Sequence, residues 1–527
     1  MTPERLRERL LSRDELALLD VREQGVHYKG HPFFACALPL SRLELMVSDL
    51  LPRLTAPLVL LDGSGEGLAE RAAAKLREFG YTDVDILEGG CAAWQAAGGE
   101  LFSGVNVPSK AFGEFVEHHY GTPRIPAAAL RRLQESGRKL VILDSRPWEE
   151  YHRMNIPGGI DVPGAELVYR APDLAPDADT LVVVNCAGRT RSIIGCQSLR
   201  NAGWTDVVAL KDGTMGWELA GYECERGGSR VAPPPSAGGR ARAQAAAAAV
   251  ATRFGVRSVP FSQLRSWVGD SKRTLYVLDV RSRDEYEAGH IPSARHAPGG
   301  QLVQATDEFV AVRNSRLVLV DPEQVRAVMT ASWLLQMGWD DVFVLEPEGA
   351  NGFGDVALAT GPRRTRVPAL ERAPEIDPAE LARVPATVLD FSTSLKFRAR
   401  HVPGAWWAVR SRLDAARAKL GDATGLVLTS DDGLLAQLAA PEAAALWPRA
   451  RLQVLAGGNA AWFAAGLPAE SGIGANATTA LDDVWYKPYD HEHGSDYEKH
   501  ARAYLDWEVA LAEQIKRDPA IRFRAYD

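Results

Sequence analysis

The sequence has few cysteines, little excess charge and no long apolar run. Five cysteines in 527 residues are too few, and odd in number, for a disulfide framework, and this scarcity favours a reducing compartment. The formal net charge of −8 is too small to indicate a dedicated nucleic-acid or anionic-membrane binder. No apolar stretch reaches the ~20 residues of a membrane span, and residues 1–13 carry charges throughout instead of the apolar core of a signal peptide. We therefore expect a cytoplasmic protein that binds neither nucleic acid nor membrane.

The sequence does contain one pattern in four copies, and such internal repeats decide the domain organisation. Each copy begins with an apolar run that ends in an aspartate, at Asp20, Asp144, Asp279 and Asp390. A second apolar run, a helix-like stretch and a short strand–turn–helix segment such as ILEGGCAAW or VLAGGNAAW follow in that order. Repeats of about 110–135 residues are long enough to bury their own cores, so each copy is predicted to be a separate domain.

The apolar runs contain Val, Leu and Ile without alternation, which is typical of parallel strands buried on both faces. Helical stretches alternate with these runs, so each copy is predicted to be an α/β domain with a parallel sheet between two layers of helices. Composition shifts place the four domains at residues 1–104, 105–226, 251–362 and 368–472. A Pro/Gly/Ala-rich linker that can end in a helix occupies residues 227–250.

The tail, residues 473–527, is predicted to contain one helix that docks onto the domains. Residues 495–498 read Ser-Asp-Tyr-Glu, which fits a capping box with Ser495 as the N-cap. Beyond this start, large or apolar side chains recur on one helix face at Tyr497, Ala501, Tyr504, Leu511 and Ile515. A partner-binding helix is the alternative interpretation.

The loop after the second apolar run distinguishes the second copy from the others. In that copy it reads Cys186, Ala187, Gly188, Arg189, Thr190, Arg191 and Ser192. The other copies place Asp62, Asp321 and, less closely, Ser430 or Asp431 at the position of the cysteine.

A cysteine at this position is predicted to lie at the carboxyl edge of the sheet, where open α/β folds bind ligands. The loop and the first turn of the next helix present unpaired N–H groups, which favour a thiolate or an anion bound beside it. Arg189 and Arg191 add positive charge, which also lowers the pKa of a nearby thiol. Gly188 permits a tight turn, and Ser192 can cap the helix or donate to the loop.

These motifs together resemble the rhodanese (sulfurtransferase) family. The resemblance rests on the Cys-x-Gly-x-x-Arg-Ser loop, an LLDVR-like strand end, a GHIPGA-like turn and an LxGGxxxW ending, and it covers residues 1–472. It implies four tandem rhodanese-like domains, each with a parallel five-stranded sheet, of which only the second is catalytic.

The resemblance also implies a chemistry for the loop. Cys186 would take a sulfane sulfur from a donor, become a persulfide and pass the sulfur to a thiophilic acceptor such as cyanide or a thiol. The amides from Ala187 to Arg191 would cradle the outer sulfur, and Arg189 and Arg191 would orient an anionic donor. We expect no cofactor and no metal.

The length of the loop separates possible substrates. Cys186 to Arg191 is six residues, one fewer than in the related phosphatases and arsenate reductases, and this length suits a single sulfur atom better than a tetrahedral oxyanion. Two arginines suit a compact dianion, which favours thiosulfate as the donor. The alternatives are a persulfide carrier or sensor that serves a protein or glutathione-type acceptor, an interaction scaffold, and a Cys-dependent phosphatase. We also expect a neighbouring domain to form a wall of the Cys186 pocket.

Other polar residues are predicted to be structural. Asp144 and Arg146 are expected to tie a strand end to neighbouring loops. The histidines of the GHIPGA-like turns, His290 and His401, are expected to be hydrogen-bonded turn residues. The tail segment His491-Glu492-His493 is expected to be a solvated loop, because alternate residues on a flexible segment make a poor metal site without further ligands.

Overall fold

The structure contains four five-stranded sheets, one for each copy of the sequence pattern. It is a computed structural model that describes residues 1–364, 366–367, 370–491 and 494–526. The predicted start of the fourth domain at residue 368, and Glu492 and His493 of the tail, lie outside this part. The predicted α/β class, with helices flanking the sheets, is confirmed. Within the described ranges, no helix is both long enough and apolar enough to cross a lipid bilayer.

The first unit has four parallel strands of its own. The strands are β1 (Leu16–Asp20), β2 (Cys36–Ala37), β3 (Leu58–Leu61) and β4 (Val84–Ile86). The helices are α1 (Pro3–Leu11), α2 (Gln24–His27), α3 (Leu43–Leu50), α4 (Leu68–Glu78) and α5 (Gly90–Ala96), with a 3₁₀ turn at Leu40–Arg42. All residues of β1 and β3 are buried, as their unbroken apolar sequences predict.

The second unit contains the cysteine loop. Its strands are β5 (Arg124–Ile125), β6 (Leu140–Asp144), β7 (Ile160–Asp161), β8 (Leu181–Asn185) and β9 (Val207–Leu210). Its helices are α6 (Val107–Tyr120), α7 (Ala127–Glu135), α8 (Trp148–Arg153), α9 (Glu166–Leu174), α10 (Thr190–Asn201) and α11 (Gly213–Leu219). The strands are all parallel in the order β5-β9-β8-β6-β7, so β8, which leads into the loop, lies at the centre of the sheet.

The third unit follows one long helix, α12 (Ala237–Phe254). Its strands are β10 (Arg257–Val259), β11 (Leu275–Asp279), β12 (Arg295–His296), β13 (Val312–Arg313), β14 (Arg316–Val320) and β15 (Val342–Leu345). Its helices are α13 (Phe261–Val268), α14 (Arg283–Ala288), α15 (Gly299–Gln304), α16 (Thr306–Phe309) and α17 (Val325–Gln336). The parallel order is β10-β15-β14-β11-β12, which leaves β13 outside this sheet.

The fourth unit repeats the same strand order, β16-β20-β19-β17-β18. Its strands are β16 (Glu375–Ile376), β17 (Thr387–Asp390), β18 (Trp406–Trp407), β19 (Gly425–Thr429) and β20 (Arg451–Leu455). Its helices are α18 (Pro378–Leu381), α19 (Ser394–Ala399), α20 (Leu413–Leu420), α21 (Leu434–Leu446) and α22 (Gly458–Ala464), with a 3₁₀ turn at Arg410–Arg412. The tail adds a 3₁₀ turn at Pro488–Asp490, the helix α23 (Ser495–Gln514) and a 3₁₀ turn at Ile515–Arg517.

The first sheet departs in one respect from a parallel arrangement. Its fifth strand is β13 of the third unit, which pairs antiparallel with β1 in the register Leu16 to Arg313 and Ala17 to Val312. The first and third units are therefore joined by backbone hydrogen bonds as well as by packing.

The segment predicted as a linker is largely an ordered helix. α12 begins at Ala237 with Ser236 as its N-cap, whose side chain accepts a hydrogen bond from the Gly239 amide at 2.9 Å. Small buried residues, Ala243 and Ala247 among them, let α12 pack closely against α9 and α17. One cluster of buried apolar side chains consequently runs through the first three units, whereas the fourth has cores of its own.

The predicted capping box of the tail helix is wrong. Ser495 is the first residue of α23, and the N-cap is Gly494, which makes no side-chain capping hydrogen bond. Gly494 has φ of 102°, a left-handed conformation that favours glycine, and the helix therefore starts one residue after it. The predicted docking of the helix is confirmed, because Tyr497, Ala501 and Leu511 are buried against the preceding units.

Candidate active site

Cys186 follows β8 directly, and α10 begins four residues later at Thr190. Only 2% of Cys186 is exposed. Its Sγ donates to the Ser192 hydroxyl at 3.4 Å, and that hydroxyl donates to the carbonyl of Arg189 at 2.9 Å. Ser192 thus holds the loop closed around the sulfur, which is the second of the two roles that the sequence suggested for it.

In the first and third units, the loop that lacks a cysteine binds the carboxylate of the aspartate at that position. In the first unit, Asp62 accepts hydrogen bonds from the amides of Gly65 at 2.8 Å and Glu66 at 3.1 Å. In the third unit, Asp321 accepts from the amides of Glu323 at 3.2 Å, Arg326 at 2.8 Å and Ala327 at 3.3 Å. A permanently attached anion therefore fills each of these amide-lined loops.

The loop of the second unit is different because its amides are free. Among the residues that the structure describes, the amides of Gly188, Arg189, Thr190 and Arg191 donate no hydrogen bond. Four unpaired N–H groups at the start of a helix attract negative charge. The loop can therefore stabilise a thiolate, or the terminal sulfur of a persulfide, on Cys186.

Arg189 is surrounded by carboxylates. Its guanidinium donates two hydrogen bonds of 2.7 Å to Glu114 and one of 2.5 Å to Glu117, and a third carboxylate, Asp212, lies at 3.4 Å. Burial opposes the charge, but Glu114 and the other two carboxylates raise the pKa of Arg189 above its ordinary value. Arg189 thus anchors α6 to the loop. A contact between Arg189 and an anionic donor remains a prediction. The three carboxylates around the guanidinium do not favour it.

Arg191 makes a bidentate pair with one carboxylate. Its two terminal nitrogens donate to the oxygens of Glu150 at 2.9 and 2.7 Å. Burial by itself would raise the pKa of Glu150, but the guanidinium lowers it to about 2. Burial likewise opposes the charge of Arg191, and Glu150 together with the nearby Cys186 raises its pKa. Arg191 is therefore a fixed cation beside the sulfur.

Asp144 and Arg146 form a buried pair below the loop. Arg146 donates to the two oxygens of Asp144 at 2.8 and 2.7 Å and to the carbonyl of Met154. Asn185, the last residue of β8, donates to Asp144 at 2.9 Å. The pair therefore ties the ends of β6, β8 and α8 together and does not reach the sulfur loop through any of these bonds.

The tail helix lies directly on the cysteine loop. Glu508 of α23 is fully buried and accepts hydrogen bonds from the hydroxyls of Thr190 at 3.1 Å and Tyr504 at 2.9 Å. The ammonium of Lys110, on α6, is 3.1 Å from the same carboxylate. A Cβ placed on Gly188 would be 3.1 Å from Glu508 and 3.2 Å from Tyr504. The absence of a side chain at position 188 is what lets the helix approach the loop.

Lys110, Tyr504 and Glu508 also belong to the site, and the sequence did not predict their place in it. The helix face that contains Tyr504 did indicate docking of the tail, but nothing in its spacing indicated which unit it would contact. Glu508 gave no signal, because a glutamate in a helix is ordinarily exposed.

A cavity of about 690 Å³ opens beside the loop, and Ala187, Arg191 and Met215 contribute to its lining. Further lining comes from the rest of the second unit, from each of the other units and from the tail. Representative residues are Gln24 of the first unit, Gln304 of the third, Leu395 of the fourth, and Trp485 and Tyr489 of the tail. The prediction that a neighbouring domain walls the pocket is confirmed.

The other four cysteines are structural by their surroundings. In the described structure none of the five cysteines forms a disulfide, and Cys36, Cys91 and Cys196 are buried. Burial raises the pKa of Cys91, Cys196 and Cys224 to about 12, and that of Cys36 further. Such thiols are protonated at neutral pH and therefore poor nucleophiles.

The chain belongs to the rhodanese-like domain family. This family matches residues 2–97, 126–220 and 261–349, which together make up more than half of the chain. The fourth unit lies outside these matches, although its sheet has the same strand order as the second and third.

Three relatives illustrate how far the similarity extends. A crystal structure of a thiosulfate sulfurtransferase from Pseudomonas aeruginosa is similar over 100% of this chain and 99% of its own, with 47% sequence identity and a TM-score of 0.94. An HTH-type transcriptional regulator of Mycobacterium tuberculosis is 36% identical over 109 residues, which are 20% of this chain and 47% of the regulator. This chain thus covers about half the length of that regulator. A Bacillus subtilis protein named, provisionally, as a sulfur carrier is 25% identical over 133 residues, 24% of this chain and 71% of its own.

Proposed function

We propose that this protein is a thiosulfate-type sulfurtransferase in which Cys186 holds the transferred sulfur as a persulfide. One observation carries the proposal: the amides of the Cys186 loop are unpaired within the described structure, whereas Asp62 and Asp321 fill the corresponding amides in the first and third units. The second unit is thus the repeat that combines a nucleophile with an open anion site. The similarity to the Pseudomonas aeruginosa thiosulfate sulfurtransferase supports thiosulfate as the donor.

The reaction has two displacement steps. The thiolate of Cys186, formed when the thiol loses its proton to solvent, attacks the outer sulfur of thiosulfate. A sulfur–sulfur bond forms on Cys186 as the sulfur–sulfur bond of the donor breaks, and sulfite leaves with the electron pair. The free amides from Gly188 to Arg191 stabilise the anionic terminal sulfur of the persulfide. A thiophilic acceptor then attacks that sulfur and releases the Cys186 thiolate, so no external oxidant or reductant is needed.

The test measures thiocyanate formed from thiosulfate and cyanide. We expect turnover by the unmodified chain, none by Cys186→Ser, and unchanged turnover by the matched control Cys196→Ser. Mass spectrometry after treatment with thiosulfate alone should find one added sulfur, on Cys186. Activity in Cys186→Ser would overturn the assignment, and cleavage of a phosphotyrosine mimic that depends on Cys186 would favour a phosphatase instead.

The size of the cavity favours a second candidate, in which the persulfide is delivered to a larger thiol. A space of about 690 Å³ is within the range that holds drug-sized molecules and far exceeds the needs of cyanide or thiosulfate. Its lining includes cations such as Lys110, Arg153 and Lys487 and acids such as Glu149 and Glu308, which suit a zwitterionic thiol of the glutathione type. A higher kcat/KM with glutathione than with cyanide would support this carrier function, and equal loss of both activities in Cys186→Ser would show that they share one site.

A further inference from the structure

Three potential metal ligands meet at the start of the tail helix, away from the sulfur loop. His491 follows the 3₁₀ turn Pro488–Asp490, and Asp496 and His500 lie one turn apart on α23. One ligand atom from each of the three residues lies within 4.8 Å of the other two. The triplet at residues 491–493 was predicted to be a solvated loop, and the fold brings Asp496 and His500 to its first histidine.

The distances suit a small cation with nitrogen and oxygen ligands. The Nδ1 atom of His491 is 3.5 Å from one oxygen of Asp496, and the Nε2 atom of His500 is 3.4 Å from the other. Two ligands at about 2.0–2.1 Å on a tetrahedral Zn²⁺ lie about 3.3 Å from each other. The two separations between a histidine and Asp496 are therefore close to those around a tetrahedral metal, and the ligand atoms of the two histidines lie within 4.8 Å of each other.

The two imidazole rings lie against each other. They stack with centroids 3.6 Å apart and an interplanar angle of 9°. A neutral imidazole has a free lone pair on one nitrogen, which is the group that coordinates a metal.

We propose that His491, Asp496 and His500 form a binding site for a divalent transition metal such as Zn²⁺. With three protein ligands, a tetrahedral ion keeps one open position. Both histidines border a second cavity, of about 400 Å³, whose lining includes Trp485, Tyr504 and Trp507. A small anion or a water can take the open position from that side.

A metal bound at this site would also affect the wall of the cavity beside the cysteine loop. Asp490, which precedes His491, and Tyr504, one turn after His500, both line the cavity beside the cysteine loop. A metal would join the turn at residues 488–490 to α23 and thus fix two parts of that wall relative to each other.

The test uses Co²⁺ as a visible probe in full-length protein that carries Cys186→Ser, because a reactive thiolate is itself a soft metal ligand. We expect one Co²⁺ per chain with visible ligand-field absorption, and its displacement by Zn²⁺. Loss of an outer-shell partner alone costs roughly 10–100-fold in metal affinity, so His500→Ala and Asp496→Asn should each weaken binding by about 100-fold or more. His118→Ala, which removes an exposed histidine elsewhere, should leave binding unchanged.

Two results would overturn this proposal. One is the absence of cobalt absorption at millimolar metal, which would show that the three side chains only hydrogen-bond to one another. The other is equal affinity in the parent, His500→Ala and Asp496→Asn, which would place the metal elsewhere. Neither result bears on sulfur transfer, because the parent protein in this experiment lacks Cys186.

Discussion

Glu508→Ala is expected to release the tail helix from the cysteine loop. The substitution removes the carboxylate that accepts hydrogen bonds from the hydroxyls of Thr190 and Tyr504 and lies 3.1 Å from the ammonium of Lys110. Only 8% of Lys110 is exposed, so its ammonium would lose this carboxylate while remaining largely buried. Breaking such a pair from one side costs about 3–5 kcal/mol.

The assay is hydrogen exchange of the α23 amides, which reports the local opening of the helix. A loss of 3–5 kcal/mol corresponds to roughly 150- to 5,000-fold less protection. The matched variant Glu508→Ala with Lys110→Met removes both charges and should recover a large part of the protection, because it leaves no unpaired ion. A loss of less than about tenfold in Glu508→Ala, or no recovery in the double variant, would refute this account of the contact.

Three further predictions concern single residues of the second unit. Gly188→Ala should lower kcat/KM for thiocyanate formation, because its Cβ would lie only 3.1 Å from the nearest atom of the tail helix. The control Gly269→Ala should leave kcat/KM unchanged, because the nearest atom to its Cβ would be 3.7 Å away. Equal activities of the two variants would contradict the close approach of the tail helix at Gly188. Arg191→Ala should raise the pKa of Glu150 from about 2 and reduce activity, and a Glu150 that still titrates near 2 by NMR would show that the pair is not its cause. Burial raises the pKa of Asp161 to about 7 from an ordinary 3.8. The folded state therefore holds a proton that the unfolded state releases, and the stability from Asp161 is lost as pH rises from about 4 to 7. Asp161→Asn should accordingly raise the Tm more at pH 8 than at pH 4.5, and an equal effect at both would contradict the shift.

Much of the fold was visible in the sequence because its determinants are local. Unbroken apolar runs that end in an aspartate predicted the central strands. The structure shows why an aspartate stands at the end of these strands. Asp20, Asp144 and Asp279 each bind an arginine two residues later, which closes the strand end. The contrast between Cys186 and the aspartates of the other loops was visible in the same way.

The parts that the sequence did not reveal depend on contacts between distant residues. Arg189 was predicted to face a donor, yet Glu114 and Glu117, which occupy it, lie on a helix more than 70 residues earlier in the chain. The apolar face of α23 indicated that the helix docks but not where. The residues of the site lie on a loop and on three other elements. Residues so far apart in the chain share no repeating spacing that would identify them as one site.

Strand β13 of the third unit completes the sheet of the first unit, and this pairing has a consequence during synthesis of the chain. Ala17 pairs with Val312, about 300 residues later. At a synthesis rate of about 5–20 residues per second, the part of β1 that pairs with β13 stays without this partner for roughly 15–60 s after it leaves the ribosome. During that interval the first unit presents an open backbone edge at Leu16 and Ala17, where another nascent chain could pair in place of β13.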